Sequence, residues 1–299
     1  MAGLAASLVC GMAQAGPFTV CMAADNPPLS HLVGDQPRGL DVRIAQAAAD
    51  VLGRPLRVVP FETTFEKESA LVHEVGALLA SGVCEAASGF PLLAGDLGPP
   101  SRASSRTADY PGALRKRERP FVMLQPLAAS RAYQAVALGV VQRTGAPPLE
   151  RLTELGERRL GTVSGTLASA VALTWRSGRL RPNVVSLNQR EDALAELARP
   201  GERRFDAVLL PLTLFDGWML THPGQPLVAA ALRRPIGVNL GFVTLDSASA
   251  VRAALDQAIN QARADGMLAR WANDEGVSWV EPGQPEVTRG PSLAELAAD

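Results

Sequence analysis

The sequence predicts an α/β protein of two lobes, each a mostly parallel sheet flanked by helices. Three observations carry that expectation. Strand-like and helix-like segments alternate as β-α-β-α-β over residues 18–90, the alternation breaks and then resumes from about 132, and one further strand and long helix follow. Such runs imply parallel sheets with right-handed crossovers. Two such units imply crossover strands and a cleft where strand ends face each other.

The elements follow in order. Residues 18–23 form a short buried strand. GLDVRIAQAAADVL, 39–52, carries Leu40, Ile44, Ala47, Ala48 and Val51 at helical spacing, and Gly53 follows as a stop. Residues 56–61 form the next strand, 66–81 a helix and 84–90 a third strand. The segment 91–130 has no clear period and holds the basic run LRKRER from Leu114; segments this long are usually functional or mobile. That run reads as a solvated face, with an anion site as its alternative. Beyond it lie strands at 132–141, 160–164, 184–187, 205–210 and 237–245. Helices are expected near Leu149, at 166–177, at 191–198 and at 248–272. The tail is rich in Pro and Gly and ends in SLAELAAD, a short helical pattern.

Composition removes several classes of function. The chain has 299 residues with 29 basic and 30 acidic side chains, so it lacks the electrostatic footprint of a nucleic-acid binder. Only 5% of residues are aromatic, which disfavours a stacking platform. The first fifteen residues, MAGLAASLVCGMAQA, read as a secretory signal ending in Ala-Gln-Ala, although no Lys or Arg precedes the apolar stretch. A buried N-terminal helix is the alternative. Export places the mature chain in the periplasm and leaves Cys21 and Cys84, a disulfide pair or two small buried side chains.

At GLDVRIAQAAADVL the sequence resembles family 3 periplasmic solute-binding proteins, with Arg43 departing from the usual acid. GTVSGT at 161–166 resembles the start of the second lobe of that family. ARADGMLARWANDEGV at 262–277 resembles its closing helix. The resemblance spans about 18–280 apart from 91–130, and implies the type II two-lobed fold. Lobe 1 would hold 16–140 and 236–281, with 91–130 inserted. Lobe 2 would hold 141–235, leaving a tail at 282–299. Hinges would lie near 139–142 and 233–236.

A narrower resemblance rests on Val20-Cys21, the Asn-Pro-Pro-Leu-Ser loop, Arg43-Ile44-Ala45 and SGVCEAASGFP. These are similar to the MxaJ/XoxJ-type binding proteins associated with quinoprotein (PQQ) dehydrogenases. It implies a periplasmic accessory whose partner is a PQQ-dependent methanol or alcohol dehydrogenase, or its cytochrome. It also supports a Cys21–Cys84 bridge, since the first and third strands of that fold are neighbours. A small-molecule receptor working with an ABC permease is the alternative, and an enzyme on the same fold a third.

The expected ligand-binding residues are Asp25, Asn26 and Ser30 on the loop after the first strand, Ser88 on the third strand, and Gly165 and Thr166 at a helix start. Gly165-Thr166 suits an anion or serves only as a helix cap. Ordinary α-amino acids fit poorly. No arginine follows the third strand, leaving Arg102 or Arg106 to reach in from the insertion. Pro211 stands where a counter-charge for the ammonium would be, and an unpaired buried ammonium is costly.

No catalytic constellation, cofactor motif or metal-ligand spacing is evident. His31, His73 and His222 are dispersed, with His73 expected on a helix surface. Glu62 and Glu66 are ordinary loop acids, and Asp25, Asp41 and Asp96 lack a calcium-loop spacing.

Overall fold

A computed structural model describes residues 16–63 and 70–298. The expected signal at 1–15 and Glu66 lie outside the described residues. The first unit runs β1 (Phe18–Ala23), β2 (Asp25–Asn26), β3 (Ser30–Val33), β4 (Gln36–Arg38), α1 (Leu40–Leu52), β5 (Leu56–Phe61), α2 (Leu71–Ala80) and β6 (Ala86–Pro91). The insertion then supplies β7 (Ser104–Ser105), β8 (Val122–Met123) and β9 (Leu127–Ala129). The second unit holds β10 (Gln134–Arg143), β11 (Leu160–Val163), α3 (Leu167–Gly178), β12 (Val184–Leu187), α4 (Ala193–Ala198), β13 (Ala207–Pro211), α5 (Leu212–Thr221) and β14 (Leu227–Ala229). The chain closes with β15 (Arg234–Leu245), α6 (Ser249–Ala264), α7 (Met267–Asp274) and α8 (Leu293–Ala297).

This is the two-lobed periplasmic-binding-protein fold. Its main sheet runs β12-β11-β13-β10-β15-β6-β1-β5, so β10 and β15 form the seam between the two halves. Within the halves β1 pairs parallel with β5 and β6, and β11 pairs parallel with β12 and β13. Such strands are covered on both faces. Val20 therefore packs with Ile44, Leu255 and Ile259 under α1 and α6, while the next residue, Cys21, packs with Leu78 and Phe90 under α2. The other half has one core around Leu138, Leu160, Val171 and Trp175, and another around Val141, Leu197, Phe205 and Phe215. At the seam β10 and β15 pair antiparallel as Gln134↔Leu240 and Leu138↔Arg234, with the register shifting between Ala135 and Ala137.

Most sequence-level expectations hold locally. Gly53 caps α1 in the left-handed conformation, its N–H reaching Asp50 O. Leu149, Leu152 and Leu155 are buried together, but the residues there form a single 3₁₀ turn, Leu152–Leu155. The closing helix is two helices, because Gly266 at φ +66° ends α6 and starts α7. His73 is buried rather than on the surface, since the insertion folds over α2 and Ser101 Oγ meets His73 Nε2 at 2.9 Å.

The tail is a strap. Asn239 gathers Gly283 and Glu286, and Glu286 pairs with Arg131 and Arg263 beside the first core. Further on, Leu296 of α8 enters the second-half core, and the Arg234 guanidinium takes the Leu296 and Ala298 carbonyls.

Cys21 and Cys84 are joined by a disulfide, their Cα atoms 5.6 Å apart. Val20↔Ala86 pairing brings Cys84, just before β6, opposite β1. The bond closes a loop with a sequence separation of 63, for which chain-entropy arguments give about 4 kcal/mol. In the exported protein, alkylation before reduction should leave the intact mass unchanged, and the Cys21→Ser, Cys84→Ser double variant should lose stability of that order in denaturant titration. Two thiols alkylated without reductant would disprove the bridge.

Candidate functional site

The loop after β1 is built from inside. Its turn, Asn26 to Leu29, is closed by Leu29 N–H to Asn26 O at 3.0 Å, and carries a cis bond between Pro27 and Pro28. Ser30 is buried and donates its hydroxyl to Ala23 O at 2.9 Å, tying the hairpin to the end of β1. The first turn of α1 leans on the same loop: Leu40 N–H and Asp41 N–H donate to the Pro28 and Leu29 carbonyls. These helix-start donors are thereby satisfied by the rim itself. Gly39 permits the approach, because a Cβ there would sit 2.3 Å from Leu29 O, and its φ is +118°.

Beneath the rim Asp41 is fully buried. Tyr133 Oη donates to Asp41 Oδ1 at 2.6 Å, while Oδ2 has no hydrogen-bond partner among the described residues. Ser88 Oγ lies near enough to favour the charged carboxylate but outside hydrogen-bond geometry, so it too is unpaired. Gly89, at φ +66°, leaves space above Oδ2: a Cβ there would lie 3.3 Å from Oδ2 and 3.6 Å from Asn26 Nδ2. Burial raises the Asp41 carboxyl to about 6, against the opposing effect of the Tyr133 and Ser88 hydroxyls. Burial and then the Asp41 charge hold the Tyr133 phenol well above its ordinary value.

The structure thus brings Asn26 and Ser88 together around Gly89 and Asp41, and leaves the Asp25 residue exposed at the rim. In the other half Gly165 is exposed at φ +81°. Thr166 Oγ1 donates to Val163 O at 2.7 Å and accepts from Ser169 N–H at 3.2 Å, the arrangement of a helix N-cap. Arg106 is spent inside the insertion, with its Nε on Arg119 O and its guanidinium over Phe121. Arg102 lies beside His73, where burial first and this charge second lower the imidazole pKa. Among the described residues no cluster of three or more His, Cys, Asp or Glu is arranged to hold a metal ion.

Beside the rim, at the ends of β1 and β5, a cavity of about 310 Å³ is walled by Leu32, Pro60, Phe61 and Tyr110. Two carboxylates edge it. Glu62 and Asp109 are cross-strand partners, exchanging both backbone hydrogen bonds at 2.9 and 3.0 Å. Like charges opposite each other are unfavourable. Arg119 relieves Asp109 at 2.7 Å from Oδ1.

Helix α5, Leu212–Thr221, was not expected from the sequence. Leu212 packs so closely on β10 that a Cβ on Gly139 would meet it at 2.2 Å. From there the helix reaches the other half. Asp216 accepts from Ser278 N–H at 2.6 Å and Ser278 Oγ at 2.7 Å, and Gly217 lies flush against the Pro27 carbonyl, 2.5 Å from where its Cβ would be. Burial raises the Asp216 carboxyl, with the two Ser278 bonds and the Arg233 charge acting against it.

No family model and no curated protein matches the chain. Solved structures do. Substrate-binding domain 2 of Lactococcus lactis GlnP, in an open conformation, matches with a TM-score of 0.62 and 13% identity, over 90% of this chain and 99% of that one. An ancestral cyclohexadienyl dehydratase matches with a TM-score of 0.56 and 16% identity, over 87% of this chain and 92% of that one. At these identities the likeness is one of fold, and the fold carries both a binding domain and an enzyme.

Two predictions follow from this geometry. A carboxyl raised from 3.8 to about 6 holds its proton more tightly when folded. Its ionisation therefore leaves stability intact below about pH 4, erodes it up to about pH 6, and costs about 3 kcal/mol above that. Asp41→Asn, which keeps an acceptor for Tyr133, should gain on the wild type by that amount between pH 4 and pH 8 in urea titration; a pH-independent difference would refute the assignment. Ser278→Ala should cost roughly 1.5–3 kcal/mol, as a lost bond to a charged acceptor does. It should also raise the radius of gyration in solution scattering; an unchanged scattering curve would show that the contact does not hold the halves.

Proposed function

We propose that the protein is a non-catalytic, exported binding protein that captures a small polar solute on its first lobe and presents it to an ABC permease. The cavity at the ends of β1 and β5 carries this reading. It has ligand-sized volume, apolar and aromatic walls, and two polar groups at one edge, the usual make-up of a small-molecule site. The match to the GlnP substrate-binding domain over nearly its full length supports a binding role.

The lining also suggests the solute's chemistry. Two carboxylates, Glu62 and Asp109, edge the cavity and Arg119 pairs with Asp109 alone, so the cavity favours an amine or another donor-rich cation over a carboxylate. Asp25, Asn26, Ser88, Gly165 and Thr166 would line the cleft around it, with Ser30 holding the rim from below. Calorimetric titration with a panel of small amines, neutral polyols and carboxylates tests this. An amine should bind, and Glu62→Gln should weaken it about tenfold or more, the loss expected for one bond to a charged group. Preference for a carboxylate, or an unaffected Glu62→Gln variant, would overturn it.

The accessory reading keeps one specific support, the bridge between the two cysteines that the narrower resemblance places on neighbouring strands. A periplasmic pull-down that recovers a PQQ dehydrogenase or its cytochrome, from a protein that binds no solute, would favour it. No helix of the described residues is long and apolar enough to cross a membrane.

A further inference from the structure

The insertion ends in a tongue, residues 106–123, that is stiffened from within and apolar outside. Arg119 is buried and grips three points of it. Nε donates to Leu114 O at 2.6 Å, one terminal nitrogen to Thr107 O at 3.0 Å, and the other to Asp109 Oδ1 at 2.7 Å. Backbone bonds from Ala113 N–H to Tyr110 O and from Glu118 N–H to Arg115 O close two turns. At its return the tongue pairs β8 with β7 through Ser104↔Met123 and Ser105↔Val122.

This scaffold turns large apolar side chains to water. Leu114 is 57%, Phe121 64% and Met123 67% exposed, within ten residues of one another. Phe121 and Met123 are two apart along the strand and share a face, while Val122 between them is half-buried. The Arg106 guanidinium lies over the Phe121 ring, 4.4 Å from its centre. Around them stand Arg115, Lys116 and Arg117, against Glu118 and the Arg119-paired Asp109, in a chain whose net charge is −1. Arg115 and Arg117 are both exposed.

We propose that this tongue docks on a lipid bilayer bearing anionic headgroups. Phe121, Met123 and Leu114 would enter the boundary between headgroups and acyl chains, and Arg115 and Arg117 would lie at the phosphates. Protruding apolar side chains flanked by cations are the chemistry of interfacial binding, in which apolar burial and attraction to anionic lipid act together. An acidic protein would satisfy the charges, but its anchors need a groove, and the tongue offers knobs. Docking does not depend on which solute, if any, the cleft holds.

Flotation of the mature chain with vesicles tests the proposal. One set is phosphatidylcholine alone, and in the other a third of the lipid is phosphatidylglycerol. Binding to the anionic set should be at least about tenfold tighter and should weaken as salt is raised. Arg115→Gln with Arg117→Gln should remove most of that preference. Phe121→Ser with Met123→Ser should weaken binding about tenfold or more without lowering the melting temperature, because these side chains are exposed. Leu293→Ser, at an equally exposed leucine on α8, should change nothing. Equal binding to both vesicle sets, no binding to either, or tongue variants that bind like the wild type would overturn the proposal. So would tongue variants that leave vesicle binding intact and lose an acidic protein partner.

Discussion

The hydrogen bond from Tyr133 to Asp41 is the constraint on which the rest of the first lobe depends. Tyr133 is fully buried and is the meeting point of five segments. Its hydroxyl holds the carboxylate at the start of α1, its amide donates to Leu240 on β15, its carbonyl accepts from Trp279, and its ring lies 5.8 Å from Phe242. The Gly89 amide on β6 is directed at the same hydroxyl. Because Asp41 follows the residue whose amide takes Pro28 O, the position of the rim is fixed through α1 by a bond under the cleft floor. The unpaired Oδ2 and Ser88 Oγ are the price of placing a carboxylate there: burial of the charge opposes folding, and one strong bond offsets only part of it.

The second constraint is what keeps the halves from moving independently. β10 and β15 alone would give a two-stranded seam with an irregular register, free to flex. Two further attachments cross it. α5 reaches Ser278 and Pro27 from the second half, and the tail anchors on Asn239 before burying Leu296 under α3. Both are packed contacts with satisfied hydrogen bonds, so opening the cleft means breaking them together.

How far this was legible follows from the kind of signal each element carries. α1 has a clean apolar period and a glycine stop, so both its ends could be read. The cysteines could be paired because they are the two that remain after the expected signal and the family resemblance puts them on neighbouring strands. α5 was invisible because LTLFDGWMLT follows a strand and a proline, contains a glycine, and exposes Leu214 and Leu220, so its apolar residues do not mark the buried stripe. That glycine weakens the helix and yet is what lets Gly217 meet Pro27. Burial of His73 was likewise unreadable, because it depends on where a long aperiodic insertion lands. Of the candidate site, the rim residues were legible from their place after a strand. The Asp41–Tyr133 pair joins residues 92 apart, and no local pattern announces it.

These restraints bear on how a ligand would act. A solute shifts a two-state equilibrium only by its differential affinity for the two states. In this conformation α5 meets both Ser278 and Pro27. The halves therefore start joined along one flank, and a ligand at the β1–β5 cavity has only the remaining opening to close. Less of its binding free energy is spent on bringing the lobes together, and apparent affinity approaches the intrinsic value. Asp216 holds that flank through two hydrogen bonds from Ser278. Burial raises that carboxyl, so its ionisation opposes the joined state, and a fall in pH favours the joint just as it favours the rim through Asp41.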